Sequence, residues 1–179
     1  LDQGVWAKAA EIIPGDRSVL HHVITSFGEL ETEGRRAGRL KRGTGGGLGG
    51  YVPGAVGKPF PEDTGILLPA GATIEFQMHY TPAGLATTDT SRMGLYLHNA
   101  PPKHKLGSMI LLNPRILIPA GAPNHSEVMV RTFDQDVLVY SLLPHAHYRG
   151  KASEFVAHLP DGTKETLLSV PRYDFNWQT

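Results

Sequence analysis

Histidine is the residue type with the clearest capacity for chemistry in this sequence. The chain holds nine histidines and no cysteine, and five of the histidines fall in three short motifs. The motifs are VLHHVI with His21 and His22, FQMHY with His79, and LLPHAHY with His145 and His147. Imidazole suits copper, zinc or nonhaem iron where thiolates are absent. The three motifs together therefore predict a metal-binding protein.

Each motif taken alone also has a purely structural interpretation. His145 and His147 are two positions apart, so on extended backbone both rings project from one face as a bidentate chelate. Pro144 indicates an edge strand or a strand end, where both histidines would only face solvent. His21 and His22 are adjacent, so a regular strand would point them to opposite faces. A β-bulge, or the use of different ring nitrogens, would bring them together, and the alternative is a core histidine.

Other polar residues give weaker signals. Gln77 and His79 are also two positions apart and share one face of a predicted strand, which is equally typical of a solvent-facing side. Asp16, Glu75 and Asp89 are scattered along the chain, and no acidic pair has the spacing of a glycosidase. The remaining histidines lie near turns or alternate with apolar residues, and are predicted to be surface or structural: His98, His104, His125 and His158.

The composition narrows the class of protein. Among 179 residues, 17 Lys and Arg balance 17 Asp and Glu, and this neutrality argues against a nucleic-acid-binding module. A hydrophobic fraction of 40% with 19% charged residues is typical of a globular chain. The absence of cysteine excludes disulfides, iron–sulfur clusters and cysteine nucleophiles. No apolar run is long enough for a transmembrane helix, so no membrane span is predicted.

Short segments rich in β-branched and aromatic residues recur between turn signals, which predicts an all-β protein of sandwich type. The turn signals draw on 21 glycines and 14 prolines, and include PAGA at 69–72 and 119–122 and PDGT at 160–163. The pattern of residues 6–13 is compatible with either a helix or a strand. The polar, Gly-rich stretch 29–50 is predicted to be a flexible loop. The predicted strands are 18–27, 72–80, 93–98, 108–112, 115–118, 127–133, 136–143 and 153–159.

Four segments, HHVITSFGE, LLPAGATIEFQMHYTPAG, LLPHAHYRGK and SVPRYDFNWQ, together resemble the copper type II, ascorbate-dependent monooxygenases. This family includes peptidylglycine α-hydroxylating monooxygenase and dopamine β-monooxygenase, and the chain is most similar to bacterial relatives of them. The resemblance spans residues 6–178 and keeps the order HH, QxHY, HxH. It implies two antiparallel, jelly-roll-like β-sandwich domains, here 1–103 and 104–179, with the second incomplete.

By motif, the resemblance implies two copper ions. The first, which stores and relays an electron, would be held by His21, His22 and His79, with the catalytic Gln77 beside it. Three imidazoles suit this role, because a closed site of low coordination number cycles between Cu(I) and Cu(II) without taking up substrate. The family reaction uses ascorbate and O2 to hydroxylate a C–H bond of a small organic substrate, and releases the second oxygen atom as water.

The second copper, where oxygen is activated, would be held by His145 and His147, both catalytic. Its third ligand in the family is a methionine thioether further along the chain, and no methionine follows Met129 here. Leu143 stands where the peptide-hydroxylating branch has an arginine that grips the substrate carboxylate. A neutral or apolar substrate is therefore expected. The chain is also expected to be a fragment, with strands from both ends of the protein outside it.

Two other functions stay open. A noncatalytic copper-binding or carrier β-sandwich would keep the ligands without the reaction, and a structural sandwich would hold no metal. A monooxygenase should bind two copper ions and take up O2 in the presence of ascorbate. A carrier should bind copper without turnover, and a structural protein should show neither copper binding nor turnover. The family also implies a periplasmic or extracellular location, an electron donor as partner, and a fused cytochrome or other domain outside this chain.

Overall fold

A computed structural model describes residues 2–41, 45–54, 57–146 and 148–174 of this chain, and within these residues nine β-strands form the regular structure. A 3-10 turn, Gly34–Arg36, is the only helical segment in these ranges. The all-β class predicted from the sequence is therefore confirmed. The strands are β1 Val5–Ile13, β2 Leu20–Gly28, β3 Gly46–Tyr51, β4 Thr64–Leu68, β5 Thr73–Tyr80, β6 Arg92–Leu97, β7 His104–Lys105, β8 Ser153–His158 and β9 Lys164–Val170.

Two sheets contribute side chains to a shared core, which gives a sandwich-like arrangement. One sheet has the order β6-β1-β4-β7 and the other the order β3-β2-β5, and all pairings except the parallel β4–β7 pair are antiparallel. Leu48 from the first core cluster and Leu20 from the second are at most 2% exposed, and burial of each contributes about 2 kcal/mol. The clusters are Ala7, Phe27, Leu48, Ile66 and Leu68, and Ile12, Leu20, Val23 and Tyr51.

The turns predicted from PAGA and PDGT are present. In both PAGA segments the amide of the fourth residue donates to the carbonyl of the first, at 3.2 Å in 69–72 and 3.1 Å in 119–122. Gly71 and Gly121 have φ of 70° and 75°, a left-handed conformation that a type II turn requires at its third position. The PDGT segment connects β8 to β9, which form an antiparallel hairpin. The repeated sequence thus encodes a repeated turn.

The glycine-rich stretch contains a strand, so the prediction of a flexible loop was wrong for 46–50. This strand, β3, pairs with β2 along its length. A Cβ on Gly50 would lie 2.5 Å from the carbonyl oxygen of Val23, and one on Gly45 would lie 1.6 Å from that of Phe27. Glycine is therefore needed because the backbones of β2 and β3 approach too closely for a side chain.

Four predicted strands, at 108–112, 115–118, 127–133 and 136–143, do not form, since the described residues between β7 and β8 contain no strand. Their apolar side chains reach the surface, with Ile110 85% and Leu138 95% exposed. A strand needs a neighbour for its backbone hydrogen bonds and a second layer to cover its apolar face. In the described structure these segments pair with no other strand, so their alternation alone does not produce a sheet. The division at 103/104 and the partial second sandwich stay predictions.

Candidate metal centre

The three histidines predicted to hold the first copper lie together, where β2 begins and β5 ends. These strands are antiparallel, with Leu20 opposite Tyr80 and His22 opposite His79. His21 is the extra residue of a bulge between these two pairs. A bulge breaks the alternation of faces and re-aims a side chain. The β-bulge, one of the two ways in which these adjacent histidines could be brought together, is therefore present.

The ring of His22 contacts the rings of both His21 and His79. Nδ1 of His21 lies 2.8 Å from Nδ1 of His22, and their ring planes are 70° apart. The ring of His22 also stacks on that of His79, with centroids 3.9 Å apart and planes 19° apart. A separation of 2.8 Å is a hydrogen-bond distance, so one Nδ1 donates a proton and the other accepts with its lone pair. The cluster thus contains an imidazole nitrogen whose lone pair points at a neighbouring imidazole.

His79 carries a buried polar atom that the described protein does not satisfy. Its Nε2 is inaccessible to solvent and has no hydrogen-bond partner among the residues described. Burial of a polar atom without a partner costs about 1–3 kcal/mol, which is why such atoms are rare in native structures. An unpaired ring nitrogen beside two further imidazoles is the feature expected where a bound group completes the site.

The three histidines match a copper or zinc site in ligand type, and two of them also match it in proximity. Two nitrogens that each lie about 2.0 Å from one ion are separated by no more than about 4 Å, a limit that His21 and His22 satisfy. Within the described ranges, however, no group of three or more His, Cys, Asp or Glu side chains is arranged to hold a metal ion. At least one ring therefore has to turn before all three imidazoles can bind the same ion.

Gln77 lies on the same strand as His79. It stands opposite Ile24 in the β2–β5 pairing and is exposed to solvent. Because it is two positions from His79, its side chain leaves the same face of β5. This placement agrees with the prediction that Gln77 and His79 share one face of a strand. The catalytic role of Gln77 stays a prediction.

The second predicted copper site is described only in part. His145 is exposed on a segment without regular structure, and not on either strand of the histidine cluster. His147 lies outside the described residues. The backbone beside His145 is held by Tyr173, whose hydroxyl donates to the carbonyl oxygen of Ala146 at 2.6 Å and accepts from its amide at 3.1 Å. Copper binding by His145 and His147 stays a prediction.

The other histidines have the surface or structural environments that the sequence predicts. Nε2 of His98 lies 2.9 Å from a backbone carbonyl oxygen of β4, which ties the end of β6 to that strand. Nε2 of His125 lies 2.9 Å from Oε1 of Glu127. His104 and His158 are exposed on β7 and β8.

Comparison with known proteins gives no match: no family model, no curated protein and no solved structure matches this chain. Function therefore has to be argued from the residues of the site. In the part of the chain that the structure describes, no helix is long and apolar enough to cross a bilayer.

Two aspartates that the sequence leaves scattered meet at the end of the sandwich where β2 begins and β5 ends. Asp16 lies in the β1–β2 connection and Asp89 in the β5–β6 connection, and the amide of Asp16 donates to Oδ1 of Asp89 at 2.8 Å. Oδ2 of Asp89 accepts from the hydroxyls of Tyr80 and Ser91, each at 2.8 Å. Oδ2 of Asp16 accepts from Thr87 at 2.7 Å. Sequence reasoning missed this network because the two aspartates are 73 positions apart and no motif joins them.

Hydrogen bonds keep both carboxylates ionised. Burial raises the pKa of Asp89, but hydrogen bonds from Ser91, Tyr80 and backbone amides outweigh it and leave the pKa below its ordinary value. The pKa of Asp16 is lowered mainly by the hydroxyl of Ser18. The hydrogen bond to Asp89 in turn raises the pKa of the Tyr80 phenol. At neutral pH the network therefore consists of two anionic acceptors surrounded by neutral donors.

Proposed function

We propose that this chain is part of a copper- and ascorbate-dependent monooxygenase in which His21, His22 and His79 bind the copper that stores an electron. The observation that carries the proposal is the β2–β5 register, which puts three imidazoles in contact in a chain without cysteine. The order of the histidine motifs, which resembles that of the type II copper monooxygenases, supports the same function.

Copper is the metal that this donor set favours. Imidazole binds several first-row metals, and Cu²⁺ forms the strongest complexes of the divalent series with nitrogen ligands. The unpaired Nε2 of His79 has no competing hydrogen bond among the described residues, so its lone pair is available to a metal ion. His21 and His22 share a hydrogen bond between their Nδ1 atoms. Binding through both of these atoms would require the shared proton to move to a ring Nε2 atom.

The proposed reaction is a C–H hydroxylation. Bound copper would supply one-electron redox chemistry: ascorbate gives two electrons and two protons and leaves as dehydroascorbate, one oxygen atom of O2 enters the C–H bond, and the other becomes water. His145 and His147 would hold the oxygen-activating copper. The role of the histidine cluster is to hold the electron-storing copper on two paired strands. The histidine rings are partly buried there, which limits access of substrate to this ion.

Copper stoichiometry tests the first site. The purified chain is loaded anaerobically with Cu(I), desalted and analysed for metal, alongside His79→Ala and the matched control His158→Ala, which changes an exposed histidine of β8. We expect His79→Ala to lose about one equivalent of copper relative to the wild type, because a three-imidazole site loses one of its ligands. The control should retain it. Equal copper content in all three proteins would contradict the proposal.

A noncatalytic copper carrier is the second candidate. The observation in its favour is the contrast between the two sites, since the cluster lies on paired strands whereas His145 is exposed on an irregular segment. The two functions differ in turnover. Copper-loaded protein that consumes O2 in the presence of ascorbate, and loses this activity in His145→Ala, is a monooxygenase, whereas copper retention without O2 consumption identifies a carrier.

A further inference from the structure

Loop contacts join the strand ends that carry the three histidines. The carbonyl oxygen of Val19, at the entry to β2, accepts from the amide of Thr81, just after β5, at 2.7 Å. The carbonyl oxygen of Asp16 accepts from the amide of Leu20, the residue before His21, at 3.1 Å. The β1–β2 connection and the end of β5 therefore set where the cluster's two strands meet.

Asp89 connects the β1–β2 connection to the end of β5. Its Oδ1 binds the amide of Asp16 on the β2 side, and its Oδ2 binds the hydroxyl of Tyr80 on the β5 side, directly after His79. A carboxylate is suited to this position because both oxygens accept hydrogen bonds and neither donates. Its lowered pKa keeps it in that form at neutral pH.

The backbone around Asp89 is fitted closely to the β1–β2 connection. A Cβ on Gly15 would lie 2.4 Å from the amide nitrogen of Thr90 and 2.6 Å from Oδ1 of Asp89. The amide of Gly15 donates to the hydroxyl of Ser91 at 3.2 Å. The two connections thus touch through main chain, and the carboxylate lies at the point of contact.

We infer that Asp89 is a positioning residue for the histidine cluster, setting the distance between the β2 end that carries His21 and His22 and the β5 end that carries His79. The inference rests on the proposed copper site. Groups that orient metal ligands without touching the metal commonly account for about 10–100-fold in metal affinity. Asp89 acts through the backbone of two strands, so its removal should loosen the ligand geometry and leave every ligand in the chain.

Truncation of Asp89 creates no cavity in the hydrophobic core. The residue lines an open cavity of about 510 Å³ that is also bordered by Val19, Tyr80, Leu85 and Thr87. Shortening the side chain therefore extends a space that solvent already reaches, and leaves no closed void in the core. The core clusters of the sandwich do not include Asp89.

The test measures Cu(I) affinity by competition with a chromophoric chelator, together with the Cu(II) electron paramagnetic resonance spectrum. The variants are Asp89→Ala, Asp89→Asn and the matched control Asp161→Ala. Asp161 also accepts from a backbone amide and a hydroxyl, both of Thr163, but it lies in the β8–β9 turn. We expect Asp89→Ala to weaken Cu(I) binding about tenfold or more and to alter the copper hyperfine pattern. Asparagine keeps one acceptor oxygen, so Asp89→Asn should recover part of the affinity, and Asp161→Ala should match the wild type.

The outcomes separate the two proposals. If copper binding by the wild type does not depend on His79, the proposed copper site is wrong. If binding depends on His79 but folded Asp89→Ala keeps the wild-type affinity and spectrum, the copper site stands and the positioning role is refuted. If Asp89→Ala does not fold, Tyr80→Phe decides, because it removes only the link from Asp89 to β5. An unchanged affinity and spectrum in Tyr80→Phe would then refute the role, and a weakened affinity would support it.

Discussion

His22 and His79 stand opposite each other on β2 and β5, with ring centroids 3.9 Å apart and ring planes inclined by 19°. Because the two residues form a cross-strand pair, the distance between their rings follows from the register of the strands. His21 joins them through the bulge beside His22. A shift of the register by one residue would send His79 to the other face and dismantle the cluster.

Copper should stabilise the folded chain through this cluster. A ligand that binds only the native state at 100 times its Kd raises the free energy of unfolding by about 2.7 kcal/mol. Urea unfolding under anaerobic conditions, with and without Cu(I), measures the gain. His79→Ala should lose most of it and His158→Ala should keep it. A gain of equal size in His79→Ala would show that copper binds elsewhere.

Gly50→Ala should destabilise the sandwich. The added Cβ would lie 2.5 Å from the carbonyl oxygen of Val23, so β3 has to move away from β2. Overpacking of this kind commonly costs about 1–3 kcal/mol. The control is Gly107→Ala, because a Cβ there has no atom within 4 Å among the described residues. Chemical unfolding of both variants measures the difference, and equal stabilities would contradict the close approach of the two backbones.

Tyr173→Phe should loosen the backbone beside His145. The hydroxyl of Tyr173 makes two hydrogen bonds to Ala146, and each hydrogen bond typically contributes about 0.5–1.5 kcal/mol. Amide hydrogen exchange at Ala146, followed by NMR, should accelerate in the variant. Tyr140→Phe, which removes the hydroxyl of a half-exposed tyrosine, serves as the comparison. Unchanged exchange at Ala146 would mean that the hydroxyl does not hold this segment.

Acid should weaken the contact between the β1–β2 and β5–β6 connections. The pKa values of Asp16 and Asp89 are lower in the folded protein than their ordinary values. Groups with a lowered folded pKa stabilise the native state above their unfolded pKa, about 3.9 for aspartate, and this stabilisation is lost as the pH falls through the folded pKa. Urea unfolding at a series of pH values from neutral to below the folded pKa values should show the decrease in the free energy of unfolding. The double variant Asp16→Asn with Asp89→Asn should have a shallower pH dependence, and an identical slope would contradict the assignment.

Strand content and turn positions could be predicted where the signal is local. Strands β2, β5, β6 and β8 follow from short runs of β-branched and aromatic residues, and the PAGA turns follow from glycine at a position with positive φ. Strand β3 could not be predicted in this way, because glycine has low strand propensity and its role here is to let β3 approach Val23 and Phe27. The opposite error affects 108–143, where strand-like alternation meets no pairing strand in the described structure.

For the candidate site, the amino-acid sequence by itself determined the donors: imidazoles in three motifs, including one adjacent pair, in a chain without thiols. Only the tertiary structure decided that His22 lies opposite His79, and that Asp16 meets Asp89 at the end of the same two strands. The reason is physical. Ligand type is a property of single residues, whereas the register of β2 against β5 and the contact between two loops depend on backbone hydrogen bonds and core packing between segments far apart in the chain.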